Sequence, residues 1–315
     1  SGSGTGINPG DDNLAAGAGA VYIYTRSGST WSFQAYIKAS NTETGDNFGS
    51  AGAVALSADG NTLAVGSPGE DGSGTGINPA YDNLATNSAG AAYIYTRSGS
   101  TWSFQAYIKA SNTGASDLFG TSVALSADGN TLAVGASNEA GSGTGINPAD
   151  NNAAAGAGAA YTYYRIGNIW SFQAYVKASN TYILGGDRFG NAVALSADGN
   201  TLAVAAQVES GSGTGINPPS DHTLGIAGAA YIYTRNSGIW SFQAYVKASN
   251  TGGSDHFGYG VALSGDGNTL VAGAPGEAGS GTGINPADNN AASNAGAVYL
   301  YNTGKRNPDL TSYNT

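Results

Sequence analysis

The chain has 315 residues, 40% of them apolar and only 10% charged, with a net charge of −10. It carries no basic cluster to hold nucleic acid, no Cys for a disulfide or thiolate, and no apolar run near the roughly 18 residues of a membrane span. Its 51 Gly would suit disorder, but the apolar share and 19 Tyr are enough to build a core.

The first recognisable element is GTGINP at 4–9, which returns at 74–79, 143–148, 213–218 and 281–286. AVYIYT at 20–25 and WSFQAYIK at 31–38 follow, both with the alternation of half-buried strands. Phe48-Gly49 comes next. VALS at 54–57, the turn Asp59-Gly60 and TLAVGS at 62–67 then read as a tight hairpin. The whole order repeats every 68–70 residues, as judged by the steps between GTGINP copies. Naming the strands A to D, Phe-Gly opens A and Trp opens D. The chain then divides into a partial unit 1–47, full units 48–118, 119–188 and 189–256, a partial unit 257–301 and a tail 302–315. GTGINP occurs five times, whereas WSFQAY, beginning at Trp31, Trp102, Trp170 and Trp240, occurs four times.

No segment has a 3.6-residue period with helix caps, so the fold class is all-β. In the third unit, strict alternation along D places Trp170, Phe172, Ala174 and Val176 on one face. Ser171, Gln173, Tyr175 and Lys177 then take the other. The first unit has FGSAGAVALS where the second has FGTSVALS, and an insertion of two residues keeps the same side chains facing the core. Four-stranded antiparallel units in tandem predict the blades of a β-propeller forming a single domain over 1–301. The count of strands predicts four blades, closed by pairing Phe257–Ala274 with the N-terminal C and D strands. An incomplete fifth blade is the alternative. One C segment, 20–25 or 296–301, is then spare.

The run FG…VALS…LAVGAP…GAVYIY resembles the FG-GAP repeat of integrin α-subunit propellers and of many bacterial surface proteins. Phe48-Gly49 with Gly66-Ser67-Pro68, and Phe257-Gly258 with Gly273-Ala274-Pro275, match both landmarks. Phe119-Gly120 is followed by Gly135-Ala136-Ser137, and Phe189-Gly190 by Ala205-Ala206-Gln207. The resemblance implies a propeller, usually of seven blades, on a secreted or surface protein. Family blades that bind calcium carry several Asp or Asn in the A–B hairpin. Here that hairpin offers only Asp59, Asp128, Asp198 or Asp266, too few oxygens for calcium. The chain has no Met, even at position 1, and is expected to be a processed extracellular protein or a piece of a longer one.

In an antiparallel unit the B–C loops and the D-to-A connections lie at one end, and loops on a rigid scaffold are where binding residues sit. Acids recur there. Asp46, Asp117, Asp187 and Asp255 precede each Phe-Gly, and Glu70, Glu139, Glu209 and Glu277 precede GTGINP. Asp12, Asp82, Asn151, Asp221 and Asn289 follow its Pro. Two readings stay open: an oxygen-rich calcium site in each unit, built on the Asp–Glu pairs, or carboxylates that cap their own turns. GSGTG lacks the Lys-Ser/Thr ending of a phosphate loop. Most Tyr recur at strand phases that suit packing between blades, with a hydroxyl reaching solvent; Tyr81 and Tyr259 fall outside those phases and are the better sugar-stacking candidates. His222 and His256 occupy non-equivalent loop positions and do not make a catalytic set, so no enzymatic activity is expected. Lys38, Lys109, Lys177 and Lys247, with Arg26, Arg97, Arg165 and Arg235, are expected on the solvent side, guarding strand edges.

These features point to an extracellular binding or adhesion module that captures a protein or glycan through repeated loops, without nucleic acid or membrane insertion. A surface filament or layer subunit joined to copies of itself by the spare strand, and a lectin-like propeller, are the alternatives.

Overall fold

Residues 2–10, 12–79, 85–184, 186–287 and 289–303 are described by a computed structural model. Strands form where the Tyr-rich and β-branched runs lie, and Gly or Asn at positive φ ends them. β1 (Val21–Ser27) and β2 (Thr30–Ile37) make a two-stranded sheet. β3 (Val54–Leu56), β4 (Thr62–Ser67), β5 (Ala91–Ser98) and β6 (Thr101–Ile108) make the second. The third contains β7 (Phe119–Leu125), β8 (Thr131–Ala136), the short β9 (Gly145–Ile146), β10 (Ala159–Ile166) and β11 (Ile169–Lys177), in the order β7-β8-β10-β11-β9. β12 (Phe189–Leu195), β13 (Thr201–Ala206), β14 (Ala229–Asn236) and β15 (Ile239–Val246) make the fourth, and β16 (Val261–Leu263), β17 (Thr269–Ala274) and β18 (Ala297–Asn302) the fifth. All strand pairings are antiparallel, and no helix occurs among the described residues.

The two-residue insertion behaves as the pleat requires. Val54 lies opposite Val65 just as Val123 lies opposite Val134, although β3 keeps only three paired residues. Strand D departs from strict alternation. In each β-hairpin of strands C and D the register slips by one residue, between Thr162 and Tyr163 in the third sheet, so that Gln173 is bulged out. A bulge inverts the phase beyond it. Trp170, Phe172 and Tyr175 therefore share the face of Tyr161 and Tyr163, while Ala174 and Val176 join Ala160 on the opposite face.

Each complete sheet thus has one large face and one small face, and sheets pack large on small. Leu132, Val134, Tyr161, Tyr163, Trp170 and Tyr175 of the third sheet bury against Ala64, Ala92, Ile94, Ala106 and Ile108 of the second. The same set recurs one sheet later and one sheet earlier. Polar staples cross the seam. Arg165 lies over the Trp170 ring and donates to Gln105 Oε1 (2.9 Å) and Thr62 Oγ1 (3.1 Å) of the preceding sheet, and Trp170 Nε1 donates to the same Gln105 oxygen (2.9 Å). Arg97 and Arg235 repeat the Gln contact. These arginines clamp neighbouring sheets, so the expected role of solvent-side edge charge does not hold for them.

Strand pairing at the ends differs from the expected closure. β17 takes β18 of its own unit as second neighbour, leaving β1 and β2 as a separate sheet. Closing a loop of some twenty residues costs less chain entropy than recruiting strands from the far end of the sequence. The end sheets each keep one face open: Tyr22 is 60% exposed where its equivalents Tyr93, Tyr161 and Tyr231 are buried, and Leu300 is 66% exposed where Ile94 and Ile232 are buried.

Thr162 occupies the small face where its sister sheets have Ile94 and Ile232, and its buried hydroxyl has no hydrogen-bond partner. Replacing Thr162 by the isosteric Val removes that desolvated group and is expected to stabilise the fold by about 1 kcal/mol. Urea denaturation checks it; a lower midpoint for Thr162→Val would contradict the packing described.

Candidate functional site

GTGINP does more than turn the chain. In each of the first four copies it returns to the outer edge of the same unit's strand D. Asn8 N–H donates to the Tyr36 carbonyl (2.7 Å), and Tyr36 N–H donates to Asn8 Oδ1 (2.8 Å). Asn78 with Tyr107, Asn147 with Tyr175 and Asn217 with Tyr245 repeat both bonds. Isolated bridges Ile7–Ile37, Ile77–Ile108 and Ile216–Val246 mark the contact, and β9 is the copy long enough to count as a strand. An edge strand with unpaired groups invites aggregation, and this loop covers it. The surplus copy, 281–286, has no strand D to cover among the described residues, and Ile284 is 88% exposed.

Beyond the Pro, the loop is closed by its own carboxylate or amide. Ser3 N–H donates to Asp12 Oδ1 (2.7 Å), Ser142 N–H to Asn151 Oδ1 (3.0 Å), Ser212 N–H to Asp221 Oδ1 (2.8 Å) and Ser280 N–H to Asn289 Oδ1 (3.0 Å). Hydrogen bonds from Ser3 hold Asp12 down to about 2, and those from Ser212 likewise lower Asp221. Asp82 and Tyr81 lie outside the described residues. The loops expose Thr5, Thr75, Thr144, Thr214 and Thr282, one per copy.

The remaining acids are drawn inward. Glu139 is buried and accepts from Lys177 Nζ (2.6 Å), Tyr175 Oη (2.9 Å), Gly141 N–H (2.9 Å) and Asn112 Nδ2 (3.2 Å). Glu209 repeats this with Lys247, Tyr245, Gly211 and Asn180, and Glu70 with Lys109, Tyr107, Gly72 and Asn41. Among the described residues, which include no strand D for its unit, Glu277 accepts from the Gly279 N–H and Asn250 Nδ2. Lys109, Lys177 and Lys247 are therefore buried ion-pair partners, and Lys38 is buried against the Gly19 carbonyl (2.5 Å). Their expected place at the solvent edge is corrected by the carboxylate that neutralises each of those three pairs.

Asp46, Asp117, Asp187 and Asp255 are buried beside these glutamates, each accepting a backbone N–H of its own turn, from Glu43 (2.7 Å), Gly114 (2.8 Å), Tyr182 (3.3 Å) and Gly252 (2.6 Å). No group of three His, Cys, Asp or Glu suited to a metal occurs among the described residues. Both carboxylate oxygens of Glu139 and of Glu209 face hydrogen-bond donors and a lysine ammonium, an arrangement that competes with calcium coordination. The hairpin Asp128 is similarly engaged, by Ser126 Oγ (2.5 Å) and Asn130 N–H (2.9 Å). Tyr hydroxyls turn inward as well: Tyr163 and Tyr233 donate to the Lys109 (3.1 Å) and Lys177 (2.7 Å) carbonyls, rather than reaching solvent. Tyr259 stays exposed at the edge of the fifth sheet. His222 stacks on Tyr182 at 4.3 Å, and His256 lies in a different loop turn.

Sequence reasoning missed the Asn of each ASNT segment. Asn112 bridges Glu139 and the Tyr161 hydroxyl (2.6 Å), which joins the connection after β6 to the third sheet. Its recurrence as Asn41, Asn112, Asn180 and Asn250 was the available signal.

The FG-GAP repeat profile matches residues 31–95, 102–163 and 240–301. The gap holds Ala205-Ala206-Gln207, where the motif is weakest, yet β12 to β15 pair as their counterparts do. No curated protein matches the chain. Among solved structures, Chaetomium thermophilum Sqt1 bound to the N-terminus of the ribosomal protein L10 is similar at TM-score 0.45 and 15% identity, over 91% of this chain and 53% of that one. The putative TolB from Agrobacterium tumefaciens gives 0.36 and 14%, over 78% and 57%. The chain spans about half the length of these two solved chains.

Two expectations follow for solution. Burial, reinforced by Glu139, pushes Asp117 up to about 6, and burial with Glu209 pushes Asp187 up to about 7, against an ordinary 3.8. Between about pH 4 and 7 the folded chain thus holds protons that the unfolded chain has released, and its stability falls as pH rises. Tm by calorimetry should be higher at pH 5 than at pH 8, with the slope flattened in Asp117→Asn/Asp187→Asn; an unchanged slope in that double variant would refute the assignment. Because the acids are already satisfied by donors, moving from chelator to millimolar calcium should leave Tm unchanged, and a calcium-dependent rise would show a site that these contacts do not account for.

Proposed function

The chain belongs to the FG-GAP repeat family, and from that premise we propose that it is a non-enzymatic β-propeller of extracellular binding or adhesion type, capturing a protein or glycan through its repeated loops. The supporting observation is the GTGINP loop. Each of the first four copies is fastened to a strand edge by the same Asn–Tyr pair, which presents an exposed Thr at equivalent places on successive sheets. Rigid loops lose little entropy on binding, and identical loops on one scaffold convert weak single contacts into avidity. The four-stranded sheets act as blades and supply the rigidity. The low charge of the chain suits a neutral polar ligand.

A second reading, a subunit of a surface filament or layer, is favoured by the open faces of the end sheets, Tyr22, Tyr24 and Trp31 at one end and Val298 and Leu300 at the other. Elsewhere in the chain the equivalent large and small faces bury each other, so copies can stack end to end.

Light scattering combined with retention on immobilised extracellular-matrix proteins and glycans separates the two. The binding reading expects a constant mass near 31.2 kDa and a retention that falls about a hundredfold when Thr5, Thr75, Thr144 and Thr214 are all changed to Arg. Mass rising with concentration, and retention on no surface, would favour the filament instead.

A further inference from the structure

Four times in this chain, one sheet holds the Phe-Gly corner of the next in the same way. Gly19, Gly90, Gly158 and Gly228 form parallel bridges to Phe48, Phe119, Phe189 and Phe257. The Phe N–H donates to the carbonyl of the residue before that glycine, from Phe48 to Ala18 (3.0 Å) through to Phe257 and Ala227 (2.9 Å). The approach is so close that a Cβ on Gly90 would lie 2.0 Å from the Phe119 oxygen, and one on Gly135 would lie 1.9 Å from the Gly190 oxygen.

The fifth sheet carries the same receiving parts, and among the described residues nothing is seated in them. Gly296, at φ 76, corresponds to Gly90, and Gly273 corresponds to Gly135. A Cβ on Gly273 would find its nearest atom, the Gly260 oxygen, at 3.9 Å, and one on Gly296 would meet only Pro275 and Ala274 of its own sheet, no nearer than 3.5 Å. An apolar cavity of about 430 Å³ lies there, lined by Tyr259, Gly273, Pro275, Gly296, Ala297 and Val298. Among the described residues, no N–H reaches the Ala295 carbonyl, the counterpart of Ala89.

We propose that this cavity is a binding site for an extended segment bearing Phe-Gly, supplied from outside these 315 residues. The site continues an interface already formed four times in the molecule, which fixes what it accepts. All four Phe-Gly pairs of the chain are seated, so neither its own strands nor an intact second copy has one to give, and residues 304–315 contain no Phe. Phe supplies the buried ring and its N–H bonds the Ala295 carbonyl. Glycine must follow it: in the seated corners a Cβ on Gly120 or Gly190 would fall 2.2 or 2.1 Å from the Ala91 or Ala159 oxygen, and Ala297 stands at that position here. The site lies on the open face of the last sheet and stands independently of the loop-face reading.

The test is fluorescence anisotropy of a labelled peptide with the sequence of residues 117–126, DLFGTSVALS, titrated with the full chain. Saturable binding is expected, weakened about tenfold or more when the peptide Phe is replaced by Ala. Gly273→Val should abolish it without lowering Tm, since Gly273 is an ordinary strand position with open space around its Cβ. Val298→Asp, on the exposed wall, is the second blocking variant. Absence of saturable binding would overturn the proposal. So would binding indifferent to the peptide Phe and to both chain variants, which would mean the peptide adds along the edge of β18 away from β17.

Discussion

Backbone touches backbone wherever one sheet meets the next, and only glycine permits it. The contact of Gly90 with Phe119, and of Gly120 with Ala91, leaves no space for a Cβ on either glycine. With main chains this close, the Phe ring is held edge-on to Tyr161 and Tyr163, at ring separations of 5.2 and 6.4 Å, and the large face of one sheet comes down on the small face of its predecessor. The asymmetry of the faces follows from the bulge at Gln173, which gathers the aromatic residues of strands C and D on one side and Ala and Val on the other. Packing, register and the repeat itself are aspects of one geometry.

The same geometry explains how a chain with so few charges uses them. Stacking brings the end of strand B, the end of strand D and the ASNT connection of the preceding unit to one buried spot. A carboxylate placed there needs a cation and several donors, and Lys177, Tyr175, Asn112 and a backbone N–H supply them for Glu139. An internal ammonium thus neutralises the buried carboxylate, and the second, third and fourth sheets each carry such an electrostatic lock. The buried Asp beside that lock keeps its proton to unusually high pH, because a second full charge on the same spot would be poorly solvated.

Repetition makes the ends of the chain informative. Each interior element has a neighbour of fixed type, so every element without one among the described residues stands out: Ile284 without a strand D, Glu277 without a lysine, Gly273 and Gly296 without a Phe-Gly corner. The N-terminal sheet, with Tyr22 and Tyr24 exposed, shows the complementary deficit. In a stack of near-identical sheets, stability comes from nearest-neighbour interfaces, and an open interface is a definite chemical surface.

The strands, the hairpin at Asp128-Gly129, the unit boundaries and the likeness to FG-GAP repeats were all legible in the sequence, because pleat alternation and turn chemistry are local and recur in phase. Acids at fixed places in the repeat were legible too, but not what faces them. Glu139 and Lys177 are 38 residues apart, and their pairing depends on where two strand ends arrive in space. The bulge that moves Tyr175 to the aromatic face leaves no mark in an alternating pattern, so the face of strand D was misassigned. The role of GTGINP as an edge cover also depends on a return over 28 residues to Tyr36. The sequence by itself determined which segments are strands and how often they recur, since those follow from each residue and its neighbours. Only the tertiary structure decided which charges are buried, which edges are covered and which interface is left open, since those follow from contacts between segments that the chain alone keeps far apart.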